Sequence, residues 1–275
     1  MSTSVVVVIP FYKKALDAYE SISVHRTLEA LSDQADIVFC GPSQLPLDDI
    51  DFQLDIDYSR VHELTHFDDR YFRSPDAYNA LLLSPRFYET FDQYEYLLIA
   101  QHDCFVFGND LEPWCKAEYD YIGAPWWEGW ENPPPDADFI GVGNGGLSLR
   151  RIDSALKVLY TFKYIKSPKL LIGKYLNSKI KFRDLVSKMT VENNTFYLIN
   201  ESSKNEDIFW GKVAESLFQW YKVPDPTEAL SFSFEVKPKE LYQLNNCSLP
   251  FGCHAWREHS PEFWVPKIKK MGYDI

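Results

Sequence analysis

The segment at residues 5–9 constrains the fold most, because four valines and an isoleucine follow one another without a polar residue. A β-branched run with no polar alternation is typical of a strand that is covered on both faces, as in parallel sheets. Pro10 closes the run. We therefore predict that these residues form a buried strand of an α/β protein.

The rest of the first hundred residues alternates apolar runs with amphipathic stretches. Ser74-Pro75-Asp76 indicates a helix start, with a capping serine and a proline at the first helical position. Further strands are predicted at residues 37–40, 61–67 and 96–100, and helices at residues 15–31, from 74 towards 85, and 87–91. This order predicts an α/β fold with a mostly parallel central sheet flanked by helices.

The later part of the chain is less regular. Strands are predicted at residues 119–124 and 146–149, helices at 152–162 and 208–217, and a half-exposed strand at 230–236. Repeats, low-complexity segments and flexible linkers are not evident in the sequence. A single domain over residues 1–275 is the simplest interpretation.

The charge and cysteine content limit the possible partners. The chain carries 28 basic and 40 acidic residues, a net charge of −12, so its surface should repel the phosphates of nucleic acids. The longest apolar stretch, residues 4–12, is far shorter than the roughly 20 residues of a membrane-spanning helix and lacks the basic leader of a signal peptide. Five cysteines without a CxxC pair indicate reduced thiols. These features predict a cytoplasmic protein.

Residues 141–146 read Gly-Val-Gly-Asn-Gly-Gly and match the G-x-G-x-x-G pattern of dinucleotide sites. In such sites the turn follows the first strand and opens a helix. Here the motif leads into a strand-like segment, and Lys166 stands where the ribose-binding acid belongs, which argues against this interpretation. The glycines predict either a tight turn alone or a backbone that lies against a ligand.

Two acidic motifs and one histidine are candidates for chemistry. Asp103 follows the strand predicted at residues 96–100, at the sheet edge where α/β proteins bind ligands, and either holds a divalent cation or caps a turn. Asn205-Glu206-Asp207 precedes a helical run, where an acid complements the helix dipole or acts as a general base. His254 is either a packed histidine or a metal ligand.

Four tryptophans fall within seventeen residues, namely Trp114, Trp126, Trp127 and Trp130. Large aromatic faces suit the apolar face of a sugar ring, although the same residues are also ordinary core components.

In their order along the chain, these motifs resemble the glycosyltransferases of the GT-A fold, which use nucleotide-sugar donors. More closely, they resemble a bacterial and fungal family within that class. The likeness runs through residues 78–79, 83–88, 94–107, 120–126, 143–150, 205–210 and 251–256. It implies a GT-A-like, Rossmann-like domain over residues 1–275, with a nucleotide-binding half at 1–107 and an acceptor-binding half at 108–275.

The resemblance also implies roles for individual residues. Asp207 would deprotonate the acceptor hydroxyl in an inverting reaction, with Glu206 beside it. Asp103 and His254 would hold Mn²⁺ or Mg²⁺, in a turn that has one acid where GT-A enzymes carry two. The donor would be a UDP-sugar and the acceptor a glycan or lipid-linked glycan. They would contact two separate sets of residues: Pro10, Phe11, Tyr12, Asp103, Gly145 and Gly146 for the donor, and Trp126, Trp127 and Trp130 for the acceptor.

Two other functions are alternatives. A non-catalytic carbohydrate-binding protein would not need Asp207. A sugar nucleotidyltransferase would normally carry a basic, glycine-rich loop after its first strand, whereas residues 11–14 contain no glycine.

The segment at residues 151–188 concentrates positive charge. It has ten basic and two acidic residues, a net charge of +8 in a chain whose total is −12. From residue 163 onwards its lysines are interleaved with apolar residues. This pattern predicts a basic helical segment that is either a solvated helix pair or a surface for anionic lipid at the inner face of the cell membrane.

Overall fold

The fold is known from a computed structural model that describes residues 4–130, 132–167, 169, 171, 182–202 and 205–275. The strands, in chain order, are β1 (Val5–Pro10), β2 (Asp36–Pro42), β3 (Glu63–Phe67), β4 (Tyr96–Ala100), β5 (Phe105–Val106), β6 (Tyr121–Ile122), β7 (Ala124–Trp127), β8 (Phe139–Gly143), β9 (Leu147–Arg151), β10 (Ser233–Phe234) and β11 (Gly252–Cys253). The α-helices are Ala18–Leu31, Pro75–Leu82, Pro85–Glu89, Glu112–Lys116, Ile152–Tyr160, Phe182–Met189, Thr195–Glu201, Glu206–Ile208, Ala214–Leu217, Pro226–Ala229, Pro238–Leu244 and Pro261–Lys270.

Six of the described strands form the central sheet, in the order β3-β2-β1-β4-β9-β6. The pairs β3-β2, β2-β1 and β1-β4 are parallel, and β4-β9 and β9-β6 are antiparallel. The valines of β1 are buried at the centre of this sheet, with Val7 opposite Ile37 and Leu98. The predicted α/β fold with a mostly parallel sheet is therefore confirmed.

The helix Ala18–Leu31 covers the sheet and begins with a capping box. The Asp17 carboxylate accepts hydrogen bonds from the amides of Tyr19 and Glu20, and the Glu20 side chain accepts one from the Asp17 amide. Helix Pro75–Leu82 begins as predicted, because the Ser74 hydroxyl accepts a hydrogen bond from the Ala77 amide.

Three predictions for the later half are corrected. Residues 119–124 are not one strand, because β6 joins the central sheet whereas β7 pairs with β8. Residues 208–217 contain a π-helical stretch, Phe209–Val213, between two short α-helical segments. Residues 230–236 form a strand only at β10. Ser231 is exposed as predicted, but Ser233 on the same predicted face is fully buried, so β10 itself is covered on both faces.

The basic segment is described only in part. Helices Ile152–Tyr160 and Phe182–Met189 lie within it, whereas residues 168, 170 and 172–181 lie outside the described residues. Among the helices that are described, none has both the length and the apolar character needed to cross a bilayer.

Candidate functional site

One cavity lies at the edge of the central sheet, where the order of the strands reverses. Strands β2 and β3 continue on one side of β1, and β4 lies on its other side, so the carboxyl ends of β1 and β4 border a crevice in which α/β proteins bind ligands. A cavity of about 450 Å³ occupies this place. Its lining combines residues that follow both strands with residues that begin a helix, namely Pro10, Tyr12, Phe72, Arg73, Ser74, Pro75, Tyr78, Gln101 and His102. We call it the switch-point cavity.

Of the residues expected to contact a donor near β1, Pro10 and Tyr12 line the switch-point cavity and Phe11 does not. The Phe11 ring is fully buried and packs 4.8 Å from the Phe39 ring centroid, because the Phe11 amide continues the β1–β2 pairing through Cys40. Tyr12, on the opposite side of the strand, is 58% exposed.

Two smaller cavities continue from the first. A cavity of about 190 Å³, the middle cavity, shares Tyr78 and Gln101 with the switch-point cavity, and its lining includes Gly145, Gly146, Glu206, Asp207, Glu235 and His254. A third cavity of about 190 Å³, the aromatic cavity, shares Asp207 and Glu235 with the middle one. Trp126, Trp127 and Trp130 form its aromatic wall. The three cavities therefore lie in a row, and Asp207 stands where the middle cavity meets the aromatic cavity.

The glycine turn between β8 and β9 supports the middle cavity. Asn144 has a positive φ of 95° and its side-chain oxygen accepts hydrogen bonds from the amides of Gly146 and Leu147, at 2.9 and 3.1 Å. A Cβ at Gly143 would lie 1.7 Å from the Trp126 ring, and one at Gly146 would lie 2.2 Å from the His254 ring. Because this turn leads directly into strand β9 and not into a helix, the turn is not a dinucleotide-binding turn. Its glycines instead allow the backbone to lie close to the side chains of Trp126 and His254.

Asp207 is held by backbone amides at the start of a helical stretch. Its carboxylate accepts hydrogen bonds from the Ile208 amide at 2.9 Å and from the Asn144 amide at 3.3 Å. Burial and the nearby Glu235 carboxylate raise the pKa of Asp207 above its ordinary value, and the two amides oppose that rise. A half-buried carboxylate with a raised pKa, facing a cavity, can accept a proton from a bound hydroxyl group.

Glu206 also borders the middle cavity, but its carboxylate is paired within the protein. Both of its oxygens accept hydrogen bonds from the Arg150 guanidinium, at 2.8 and 2.9 Å, and both side chains are 1% exposed. Burial raises the pKa of Glu206, and the Arg150 charge opposes this rise. With both oxygens occupied, Glu206 supports the site, which leaves Asp207 as the carboxylate available for chemistry.

His254 lies between two carboxylates. Its Nδ1 is 2.7 Å from Oε1 of Glu235, and its Nε2 is 3.4 Å from Oδ1 of Asp103. Burial lowers the pKa of His254, but Asp103 and Glu235 outweigh burial and raise that pKa well above its ordinary value. Burial likewise disfavours the charged form of Asp103, yet His254 lowers the pKa of Asp103 to about 2. The structure thus brings together the two residues expected at a cation site.

Asp103 and His254 fit a divalent cation as two ligands of a partly open site. Oδ1 of Asp103 is buried and has no hydrogen-bond partner within the described residues. The raised pKa of His254 favours the imidazolium, so a cation would have to displace the Nε2 proton. In the resulting neutral ring, Nδ1 donates to Glu235 and Nε2 is free to bind the metal, the usual arrangement of a metal-binding histidine. Within the described residues, no group of three or more His, Cys, Asp or Glu side chains could hold a metal ion. A cation here would therefore need oxygens from a bound ligand and water to complete its coordination.

Three of the four clustered tryptophans line the aromatic cavity, and the fourth, Trp114, lies elsewhere. Trp126 and Trp130 lie with ring centroids 4.5 Å apart, and Trp130 is 42% exposed to the aromatic cavity. The Trp127 ring centroid lies 4.3 Å from that of Phe139 with the rings tilted by 32°, and the Trp127 indole N–H donates to the Val236 carbonyl. Trp114 packs on Phe232, outside this wall.

Sequence reasoning missed Glu235, Arg73 and Arg150. Glu235 is the one acid in the segment at residues 230–236, so it was visible as an isolated charge. Arg150 is followed by Arg151 in β9, and the sequence does not show which of the two side chains is buried. Arg73 precedes the Ser74 helix start and lines the switch-point cavity, but nothing in its neighbourhood marks it as a site residue.

A family profile described as "Protein of unknown function (DUF5672)" matches residues 62–254, and the chain belongs to this family. A solved structure of a glycosyltransferase involved in the glycosylation of the major capsid of PBCV-1 is similar to this chain, with 12% sequence identity and a TM-score of 0.41. That similarity covers 91% of this chain and 92% of the other. A comparison with curated proteins finds no match.

Proposed function

We propose that the protein is a glycosyltransferase that moves a sugar from a nucleoside-diphosphate donor, a UDP-sugar, to a hydroxyl group of a glycan or lipid-linked glycan. The observation that carries the proposal is the position of Asp207. Its carboxylate lines both the middle cavity and the aromatic cavity, so it stands between a donor site and an acceptor site.

The donor is assigned to the switch-point and middle cavities. The exposed Tyr12 ring offers a face for the nucleotide base, and Arg73 offers a positive charge for phosphate oxygens. Gly145 and Gly146 line the middle cavity, where the donor sugar would lie against backbone. The positions of Pro10, Tyr12, Gly145 and Gly146 support this assignment.

Asp103 and His254 would hold Mn²⁺ or Mg²⁺ together with the donor diphosphate, and His254 favours Mn²⁺ because that ion accepts imidazole readily. When bound, the cation offsets the negative charge of the departing diphosphate. The Glu235 carboxylate accepts a hydrogen bond from Nδ1–H of His254, which fixes the orientation of the imidazole ring.

Asp207 is the general base in this proposal. It takes the proton of the acceptor hydroxyl as the acceptor oxygen bonds to the anomeric carbon and the bond from that carbon to the diphosphate breaks, so the nucleoside diphosphate leaves. Attack from the side opposite the diphosphate inverts the anomeric configuration. Glu206 holds Arg150 and takes no proton in this step.

The acceptor is assigned to the aromatic cavity. The exposed face of Trp130 beside Trp126 suits the apolar face of a sugar ring. Because Asp207 borders the same cavity, an acceptor stacked there would present a hydroxyl group to the base.

The decisive experiment is a donor panel measured in two ways. UDP-sugars and GDP-sugars are titrated by calorimetry with Mn²⁺ and with EDTA, and release of the nucleoside diphosphate is then followed with and without glycan acceptors. We expect Mn²⁺-dependent binding and acceptor-stimulated release of nucleoside diphosphate. Binding of glycans without any nucleotide affinity would instead indicate a carbohydrate-binding protein, and release of pyrophosphate from a nucleoside triphosphate and a sugar phosphate would indicate a nucleotidyltransferase.

A further inference from the structure

Away from the cavities, three aromatic rings lie exposed beside one another. Phe162, Tyr164 and Phe196 are 52%, 44% and 47% exposed. The ring centroid of Phe162 lies 5.2 Å from that of Tyr164 and 5.8 Å from that of Phe196. Single apolar residues on a surface are ordinary, but contiguous ones mark a place where a partner binds. We call these three rings the aromatic cluster.

The backbone holds the cluster in place. The Thr195 amide donates to the Lys163 carbonyl at 3.0 Å, and the Ile165 amide donates to the Asn193 carbonyl at 3.2 Å. The Thr195 hydroxyl also donates to the Thr161 carbonyl at 2.6 Å. Because the two segments that carry the rings are tied together, the cluster is preorganised and little entropy is lost when it meets a partner.

Some of the basic side chains described in the surrounding segment contact groups of this chain. Among the residues of the segment that the structure describes, those with acidic, aromatic or carbonyl partners include Arg151, Lys157, Lys163 and Lys188. Lys166 and Lys169 are exposed and follow Tyr164 closely in the chain. Exposed rings and exposed ammonium groups therefore lie on one short stretch of chain.

We propose that the aromatic cluster, with Lys166 and Lys169, docks the protein on a bilayer that carries anionic lipid. Aromatic rings enter the interfacial region of a bilayer, and ammonium groups bind the phosphates of its headgroups. The charge distribution selects this partner, because residues 151–188 carry +8 while the chain as a whole carries −12. An anionic surface repels the rest of the molecule and attracts this segment, which also sets the orientation of docking. The docking surface is independent of the proposed transfer reaction.

The test is flotation with vesicles of phosphatidylcholine alone and of equal parts phosphatidylcholine and phosphatidylglycerol. We expect the protein to bind only the anionic vesicles at low salt, and to be released in about 1 M salt, where the Debye length is about 3 Å. Each basic residue near such a surface contributes about fivefold to partitioning, so Lys166→Glu with Lys169→Glu should lower it at least about 25-fold. Replacing the three rings of the cluster with serine should lower it at least about tenfold.

Matched variants elsewhere on the surface serve as controls. Leu244 and Leu249 are 52% and 38% exposed, and Lys269 and Lys270 are exposed in the last turn of helix Pro261–Lys270. Leu244→Ser with Leu249→Ser, and Lys269→Glu with Lys270→Glu, should leave binding unchanged. Thermal unfolding of every variant checks that the fold is retained.

Four results would overturn the docking surface. These are no binding to anionic vesicles at low salt, equal binding to neutral vesicles, equal binding by the cluster variant and the wild type, or an equal loss in the control variants. Sedimentation velocity tests whether a second copy of the chain covers the cluster instead. If the wild type forms a dimer that the serine variant abolishes, and does not bind vesicles, the cluster is a contact between two copies of the chain.

Discussion

Arg150 and Glu206 form a buried, bidentate ion pair, with N–O distances of 2.8 and 2.9 Å and 1% exposure of each side chain. The same guanidinium donates to the Tyr88 hydroxyl at 3.1 Å and lies 5.4 Å from the Tyr121 ring centroid. Since Glu206 directly precedes Asp207, the pair fixes the backbone of the residue that faces the cavities.

Removal of one partner of this pair should destabilise the fold strongly. Arg150→Met leaves the Glu206 carboxylate buried without a counter-charge, a change that typically costs about 3–5 kcal/mol. Urea denaturation of the variant should therefore give a lower free energy of unfolding than that of the wild type.

The double variant Arg150→Met with Glu206→Leu is the matched control, because buried ion pairs replaced by apolar residues often lose little stability. It should be more stable than Arg150→Met alone. If the two substitutions instead destabilise additively, the side chains act independently and the pair does not hold the segment.

Sequence patterns predicted the centre of the sheet well because β1 and β4 are short apolar runs that are buried along their whole length. The run at residues 5–9 became β1, and the strand predicted at 96–100 became β4 with the same bounds. The same reasoning failed at residues 230–236, where serines alternate with aromatic residues. Serine is small enough to pack inside, and Ser233 is fully buried, so the alternation did not mark a solvent-exposed face.

The site was only partly predictable, because some of its residues meet through long-range strand pairing. Strand β10 pairs with β11 in parallel, with Phe234 opposite Cys253, so the next residue of each strand, Glu235 and His254, are neighbours. A sequence indicates both residues but not this register. Tyr12 and Gln101 were more accessible to prediction, because residues that follow adjacent parallel strands emerge at the same edge of the sheet.

Asp207→Asn should abolish transfer while leaving donor binding intact. The amide keeps the shape of the carboxylate but cannot take the acceptor proton, and loss of a general base typically lowers kcat by about 100- to 10,000-fold. Turnover is measured as release of nucleoside diphosphate, and donor affinity by calorimetry. Near-wild-type turnover would show that Asp207 only begins the helical stretch and that the base lies elsewhere.

Asp103→Asn and His254→Ala should each weaken Mn²⁺-dependent binding of a nucleoside diphosphate. Each substitution removes one of the two proposed ligands, whose Oδ1 and Nε2 atoms lie 3.4 Å apart. Calorimetry with Mn²⁺ and with EDTA measures the effect, and the Mn²⁺ electron paramagnetic resonance signal reports the free ion without any reaction. His66→Ala, an exposed histidine on β3, is the control. Equal affinity in wild type and both site variants would remove the cation from the proposal.

The pH dependence of kcat/KM should report Asp207. Its pKa lies above the ordinary value, and a base must be deprotonated, so the rate should fall as the pH drops through this raised pKa. Glu235→Gln removes a negative charge that raises the pKa of Asp207. The acidic limb of the plot of kcat/KM against pH should therefore move to lower pH. Glu240→Gln, an exposed acid in helix Pro238–Leu244, should leave the limb in place. A limb that stays fixed or moves upward in Glu235→Gln would contradict the assignment.

Trp130→Ala should weaken binding of the acceptor without affecting binding of the donor. The ring is 42% exposed, lies 4.5 Å from the Trp126 ring centroid and borders the cavity that Asp207 shares. Loss of one stacking face is expected to raise the KM for a glycan acceptor up to about tenfold at nearly constant kcat, because stacking stabilises ground state and transition state alike. Tyr160→Ala, an aromatic residue that is 60% exposed outside these cavities, is the control. A changed donor affinity in Trp130→Ala, or an unchanged KM for the acceptor, would move the acceptor site away from the aromatic cavity.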